Sequence, residues 1–133
     1  MLGATGAVGR EMLKVLVERK FPINTIKALA SARSAGTKLP FGDGEIVVEE
    51  ATEASFEGMD IVLGAASADL ARQFAPAIVK AGAVFVDNSS AFRMVDDVPL
   101  VVPEINPEDV KRHRASSPTP TAPPSSRSWR CRR

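Results

Sequence analysis

The stretch that decides the fold is MLGATGAVGREMLKVLVERKFP, residues 1–22. Gly3, Gly6 and Gly9 recur every three residues and lead into a run whose apolar residues have helical spacing. Glycines let a backbone turn tightly and approach a pyrophosphate, and a helix that follows offers free N–H groups and the positive end of its dipole. The stretch therefore predicts a nucleotide-binding turn, with a plain turn before a helix as the alternative.

Strand-like and helix-like segments alternate along the rest of the chain. TIKALAS, MDIVLGAA and AVFVDNSS predict strands, a turn at residues 42–44 precedes another, and VPLVVPEI is extended. Apolar residues of the first helix run from Met12 to Val17 and Pro22 ends it, while Gly82 ends a second helix. We expect a Rossmann-type, doubly wound, mainly parallel α/β sheet over residues 1–114. Only two residues precede the glycine turn, so the first strand should be largely missing.

Composition narrows the class of protein. The chain has 133 residues, 44% of them hydrophobic, and a net charge of +1. No apolar run approaches the roughly 20 residues of a membrane span, and no signal peptide is recognisable at the start, so we expect a cytoplasmic protein without a membrane partner. The single cysteine, Cys131, excludes an internal disulfide and an all-thiolate metal site, and no metal is predicted.

Two further polar clusters fall where predicted strands end, which is where such sheets bind ligands. Arg33 and Ser34 stand where an NAD site would place an acid for the ribose hydroxyl. A guanidinium suits a 2′-phosphate, so NADP is favoured over NAD. The alternative, an exposed loop arginine that binds no ligand, fits the spacing nearly as well. In the second cluster, residues 87–93, Asp, Asn and Ser could equally be a strand-to-turn cap.

Taken together, GATGAVGREML, ASARSAG, FVDNSSAFRM and PLVVPEINPEDV resemble the amino-terminal, NADP-binding domain of the aspartate-semialdehyde dehydrogenase family. The resemblance covers residues 2 to about 114. It implies an oxidoreductase that reduces aspartyl phosphate with NADPH to aspartate semialdehyde, on the way to lysine, threonine and methionine. The small-molecule substrate and a homo-oligomeric state would belong to the full-length enzyme.

The resemblance also implies roles for individual residues. Arg93 matches the arginine that grips the substrate's phosphoryl group. Arg33 and Ser34 match the 2′-phosphate site. The cofactor-binding set is Gly3, Thr5, Gly6, Ala7, Val8, Gly9, Arg33, Ser34, Ser67, Asn88 and Ser89, with Asn88 and Ser89 on the nicotinamide side.

The sequence has no counterpart of the family's catalytic residues at the matching positions. Its nucleophile is a cysteine in an Asn-Pro-Asn-Cys-Ser-Thr segment after the PEINPED stretch, and a histidine of the next domain is its acid–base partner. His113 sits in a basic stretch, and Cys131 lies in SWRCRR without backbone donors around it. We therefore predict no catalytic residue here and no activity of this chain alone.

Residues 115–133 are rich in Ser, Pro, Thr and Arg and predict a disordered tail. Shifted by one base, the codons from Ala115 to Ser125 permit Gly-Ile-Ile-Ala-Asn-Pro-Asn-Cys-Ser-Thr-Ile, which is the family's nucleophile segment. The missing cysteine would lie across the codons of Thr121 and Ala122. We interpret the tail as an out-of-frame reading, with a genuine Pro/Ser linker as the alternative.

Three other functions stay open at this point. An N-acetyl-γ-glutamyl-phosphate reductase fragment shares the glycine turn, but DNSSAFRM and PLVVPEINPEDV fit it poorly. A non-catalytic NADP-binding module would need the tail to be genuine. Nucleic-acid binding by the Arg-rich end would be salt-sensitive and non-specific, and no recognisable module supports it, so no nucleic-acid partner is predicted.

Overall fold

The structure, a computed structural model, describes residues 1–96, 98–112 and 119–120. Two α-helices and six strands carry the fold, together with short 3₁₀ segments at Ala32–Ser34, Glu53–Phe56 and Pro107–Arg112. The helices are α1 (Ala7–Glu18) and α2 (Ala68–Lys80); the strands are β1 (Ala28–Ala30), β2 (Lys38–Phe41), β3 (Gly44–Glu50), β4 (Ile61–Gly64), β5 (Val84–Asp87) and β6 (Thr119–Pro120).

The strands form two groups, β2–β3–β1 and β4–β5–β6, and Leu2 joins them. Leu2 makes parallel bridges to Leu29 of β1 and to Gly64 of β4, so it holds the central position of the sheet. All ladders are parallel except β2 against β3. The predicted doubly wound, mainly parallel sheet is confirmed, and Leu2 lies between β1 and β4 at its centre.

Each face of the sheet packs against one helix, because successive strand residues point to opposite sides. Leu13 of α1 packs with Ala28, Ala30 and Val48 on one face. The other face is larger and lies under α2; its core is Leu2, Leu29, Phe56, Val62, Phe74, Ile78 and Phe85. Phe56 and Phe74 meet edge to face with ring centroids 5.5 Å apart.

The structure corrects several details of the sequence prediction. The turn at residues 42–44 is present, but it closes a hairpin whose first strand, β2, was missed because Pro40 weakens a strand pattern. Helix α1 ends at Glu18, before Pro22, and Lys20 adopts a positive φ of 49° just after it. Val15 and Val17, predicted on the apolar face, are 40% and 37% exposed.

The region after β5 also differs from the prediction. VPLVVPEI forms no strand of its own, and Pro107–Arg112 is a 3₁₀ helix. The predicted tail of residues 115–133 lies outside the described residues, with the exception of Thr119 and Pro120. These two pair in parallel with Val86 and Asp87, because the outer edge of β5 offers free backbone groups, and disorder of the tail stays a prediction. Within the described residues, neither α-helix has the length and hydropathy that a membrane crossing requires.

Candidate nucleotide-binding site

The predicted site residues gather at one edge of the sheet. The glycine turn follows Leu2, the Arg33 loop follows β1, Ser67 follows β4 and the Asn88 turn follows β5. All four segments leave the carboxyl ends of parallel strands, which is the edge where doubly wound sheets bind nucleotides. The structure thus brings the sequence-predicted clusters to one place.

The three glycines of the turn differ in how much room their surroundings leave for a side chain. At Gly3, φ is +82° and an added Cβ would lie 2.7 Å from the carbonyl carbon of Ala65. At Gly9, a Cβ would overlap the carbonyl oxygen of Gly3, where α1 crosses the turn. At Gly6 the nearest atom would be 3.5 Å away, at ordinary contact distance. Packing therefore demands Gly3 and Gly9, whereas exposed Gly6 has room for a Cβ at ordinary contact distance.

The amino end of α1 presents free backbone donors beside Gly6. Gly6 is the N-cap residue, and no side chain of the described residues caps the helix there. Ala7 and Val8 are exposed, and α1 carries no acid in its first turn, all of which is described. Two hydrogen bonds hold the turn. Gly6 N–H donates to the Gly3 carbonyl (3.2 Å), and Arg10 Nε donates to the Thr5 carbonyl (3.1 Å). Such an end attracts an anion through its N–H groups and its dipole.

The loop after β1 places a cation at the same edge. Arg33 is exposed and Ser34 half-buried, and both belong to the 3₁₀ turn Ala32–Ser34. The turn is fixed by Ser34 N–H to the Ser31 carbonyl (2.8 Å), and the loop returns to the sheet through Gly36 N–H to the Val48 carbonyl (2.8 Å). The backbone is therefore defined while the guanidinium is free to meet a ligand.

Asp87 organises the turn after β5. Its carboxylate is fully buried and accepts bonds from the backbone N–H of Ser89 (3.1 Å) and from the Ser89 hydroxyl. The Ser89 hydroxyl oxygen in turn accepts Ala91 N–H at 3.1 Å, and Asn88 N–H donates to the Gly64 carbonyl at 3.0 Å. The strand-to-turn cap is confirmed here, because Asp87 and Ser89 cap the strand and thereby set where Asn88 lies, whereas a ligand-binding role of this cluster stays a prediction.

Arg93 reaches back toward the same turn. One of its terminal nitrogens, Nη2, donates to the Asn88 carbonyl at 3.1 Å. Its Nε is buried and finds no partner among the described residues. A buried guanidinium donor without a partner is costly unless a ligand supplies an acceptor.

Ser67 has a structural role in the described structure. It is the N-cap of α2, and its hydroxyl accepts a bond from Leu70 N–H at 3.4 Å. Two residues that help to build the site were not among the predicted ones, Asp87 and Arg10. The sequence signal for Asp87 was an acid at the end of a buried strand with Ser two positions later, which is the pattern of a local side-chain turn.

A family model described as semialdehyde dehydrogenase, NAD binding domain, matches residues 1–113. The chain belongs to this family. The resemblance inferred from the four sequence motifs is thereby confirmed, and a nicotinamide nucleotide follows as the ligand class of the domain.

Individual relatives agree with the family assignment. The chain is 52% identical over 114 residues to an aspartate-semialdehyde dehydrogenase of Synechocystis sp., and 50% identical over 113 residues to that of Bacillus subtilis. These matches cover 86% and 85% of this chain, but 34% and 33% of the relatives. The chain thus spans about a third of the length of the curated relatives it matches.

Solved structures support the same domain. Aspartate semialdehyde dehydrogenase II of Vibrio cholerae, complexed with ASA, matches with a TM-score of 0.86 at 41% identity, over 90% of this chain and 39% of that one. The enzyme of Candida albicans, solved with NADP, matches with a TM-score of 0.67 at 31% identity, over 91% of this chain and 41% of that one. The semialdehyde dehydrogenase domain of this chain therefore has the fold of those enzymes' matched regions.

Proposed function

We propose that this chain is the NADP-binding domain of an aspartate-semialdehyde dehydrogenase, an enzyme of lysine, threonine and methionine biosynthesis. The observation that carries the proposal is the exposed amino end of α1 at Gly6, which no side chain of the described residues caps and which lies on the same edge as Arg33. Relatives named for that enzyme match over almost the whole of residues 1–113. The reduction of aspartyl phosphate, a homo-oligomeric state and a cytoplasmic location are proposed for the full-length protein.

The residues of the turn fit the pyrophosphate of a dinucleotide. The N–H groups of Ala7 and Val8 bind its oxygens, and Gly6 lets them come close to the backbone. Gly3, Thr5 and Gly9 keep the turn in shape beneath them. When bound, NADP supplies the hydride carrier of the reaction, which no amino-acid side chain can provide.

The choice of NADP over NAD rests on Arg33 and Ser34. A 2′-phosphate binds a guanidinium and a hydroxyl, whereas the ribose hydroxyl of NAD needs a carboxylate. The described loop from Ser31 to Phe41 carries no carboxylate. Arg33 is exposed and so accessible to the phosphate, and the extra charge-assisted bonds favour NADP.

The other polar turn fits the reacting end of the cofactor and the substrate. Asn88 and Ser89 lie at the end of β5 and are proposed to contact the nicotinamide. The buried Nε of Arg93 is proposed to donate to an oxygen of the substrate's phosphoryl group. Ser67, at the amino end of α2, is the remaining cofactor contact of the proposal, in addition to its role as an N-cap.

Hydride transfer is not expected from this chain alone, because no placed cysteine can form the thioester that the family uses. Cys131 and His113 lie outside the described residues, and their positions in the sequence do not match the family's nucleophile segment. The shifted reading of residues 115–125 accounts for the absent nucleophile. The chain is therefore proposed to bind the cofactor without turning it over.

The test is a calorimetric titration of the purified chain with NADPH and with NADH. NADPH should bind more tightly, and Arg33→Ala should weaken NADPH by about 1–3 kcal/mol while leaving NADH nearly unchanged. Arg19→Ala, which removes an exposed arginine at the far end of α1, is the matched control and should alter neither. An unchanged preference in Arg33→Ala would remove Arg33 from the site.

A further inference from the structure

Arg10 places a cation in the first turn of α1, next to the proposed pyrophosphate site. The helix begins with Ala7, Val8, Gly9 and Arg10. Side chains of an α-helix lean toward its amino end, so Arg10 extends back over the glycine turn. Its guanidinium group reaches this turn, because Nε donates to the Thr5 carbonyl at 3.1 Å.

The bond to Thr5 uses only one of the donors of the guanidinium group. The remaining N–H donors, on the two terminal nitrogens, have no hydrogen-bond partner among the described residues. Nor does Arg10 form an ion pair with an acid in the part of the chain that the structure describes. Because the residue is also exposed, its side chain is anchored at Nε while its terminal donors stay accessible to a ligand.

The surroundings of Arg10 in the free chain are unfavourable for its charge. The amino end of a helix carries the positive end of the helix dipole, which repels a cation. Lys14 lies four residues later on the same face of α1, and like charges at this spacing repel each other. The neighbouring acids Glu11 and Glu18 each pair with Lys14 instead, at 3.7 Å. An anion bound at the glycine turn would offset both repulsions.

We propose that Arg10 is a further cofactor-binding residue, whose terminal guanidinium nitrogens donate to the pyrophosphate of the bound dinucleotide. A guanidinium donates to two phosphate oxygens at once, and such charge-assisted bonds are stronger than neutral ones. This inference rests on the proposed function, since the nicotinamide nucleotide expected for the family supplies the anion.

Arg10 and Arg33 are thereby assigned to different parts of the ligand. Arg10 contacts the pyrophosphate, which NADPH and NADH share. Arg33 contacts the 2′-phosphate, which NADPH has and NADH lacks. Loss of Arg10 should therefore weaken both nucleotides, whereas loss of Arg33 should weaken NADPH alone.

Arg10→Gln separates the two functions of the side chain. The Gln amide nitrogen stands at the same place along the side chain as the Arg Nε, so it still donates to the Thr5 carbonyl, but the charge and the terminal nitrogens are lost. Arg and Gln have similar helix propensities, so α1 should be retained. Arg19→Gln, the same exchange just after α1 at an exposed position, is the matched control.

The experiment is a calorimetric titration of the full chain and its variants with NADPH and with NADH. Arg10→Gln and Arg10→Ala should each weaken both nucleotides by the same factor, about threefold to tenfold. Affinity should also depend less steeply on NaCl concentration in both variants, because one charge–charge contact with the ligand is lost. Arg19→Gln should change neither the affinity nor its salt dependence. Without nucleotide, Arg10→Gln should unfold at a temperature no lower than the unaltered chain, since the helix dipole and Lys14 repel the charge that it removes.

Unchanged affinity of Arg10→Gln for both nucleotides would overturn the proposal, and a loss in Arg10→Ala alone would then mean that Arg10 only holds the turn. A loss for NADPH but not for NADH would also overturn it, because the contact would be with the 2′-phosphate. Neither result would touch the proposed function, since the unaltered chain would still bind the cofactor. If the unaltered chain bound neither nucleotide at millimolar concentration, the proposed function would fall and this assignment with it.

Discussion

At the scale of single residues, the glycines of the turn serve two purposes. Packing requires Gly9, whereas Gly6 is proposed to serve phosphate binding. Gly9 has no room for a methyl group because α1 crosses the carbonyl of Gly3, whereas Gly6 has room on its exposed side. The sequence presents the two as equivalent members of one repeat. Their difference depends on where α1 lies over the turn, which no local spacing encodes.

Alanine substitutions should therefore affect different properties at these two positions, stability at Gly9 and NADPH affinity at Gly6. Gly9→Ala should destabilise the fold by about 1–3 kcal/mol through overpacking, measured as a lower denaturant midpoint. Gly6→Ala should fold as well as the unaltered chain but bind NADPH more weakly, measured by calorimetry, because the methyl group occupies the space for the phosphate.

Gly36→Ala is a useful control for the strain of a positive φ alone, since φ is +83° there and no atom lies within 4 Å of the added Cβ. It should lower stability modestly without altering affinity. If Gly6→Ala bound NADPH normally, the phosphate would not approach this turn.

At the scale of elements, periodicity predicted both helices, the buried strands and their order. Two of the mispredicted features have clear physical reasons, a missed strand and the exposure of two residues of α1. Strand β2 contains Pro40, which is tolerated because β2 lies at the edge of the sheet. Val15 and Val17 have helical spacing, yet they remain substantially exposed because α1 packs mainly through Leu13 and Gly9.

The amino end of the chain should make stability depend on pH. The folded pKa of the Met1 amino group, about 6, lies below its unfolded value of 8.0, because burial disfavours the charged form. The unfolded chain therefore binds more protons between these values, so the free energy of unfolding should rise by about 2 kcal/mol from pH 6 to pH 8. Urea unfolding across this range measures it.

A chain acetylated at Met1 is the control for this pH dependence, because acetylation removes the titrating group. All side-chain titratable groups are present in both chains, so the difference between them isolates Met1. Identical pH profiles for the two chains would contradict a buried ammonium at Met1.

At the scale of the whole molecule, the sequence predicted the family, the fold and the edge of the sheet that carries the site. The buried Nε of Arg93, which has no partner among the described residues, could not be predicted from the sequence, because it depends on how the turn after β5 folds back against β4. For Asp87 the sequence carried a local signal, the acid at a strand end with Ser two positions later, but not the full burial of the carboxylate. The two-residue pairing of Thr119 and Pro120 with β5 was likewise unpredictable from a segment of Pro and Ser.

The shifted-frame interpretation makes a prediction about the gene. The parental segment requires A as the third base of the Ala115 and Ser116 codons, G for Ser117 and T for Thr121. Restoring one base near the Arg114 codon should open a longer frame with a later catalytic histidine. The restored enzyme should produce NADPH from aspartate semialdehyde and phosphate, whereas the 133-residue chain should not.

Sequencing and one assay decide this point. Two or three third bases that disagree with the parental codons would defeat the shifted frame. Phosphate-dependent activity of the 133-residue chain, lost in Cys131→Ser, would show instead that the tail supplies a nucleophile.

The central claim, that the carboxyl edge of this sheet holds NADP, is tested most directly by amide NMR. NADPH should be titrated into the ¹⁵N-labelled chain after backbone assignment. The account predicts saturable shifts at Gly6, Ala7 and Val8, at Ser34, and at Asn88 and Ser89, with the amides at the opposite edge of the sheet, near Ile26 and Ile61, unchanged. Shifts confined to residues away from this edge, or none at millimolar NADPH in a folded chain, would contradict it.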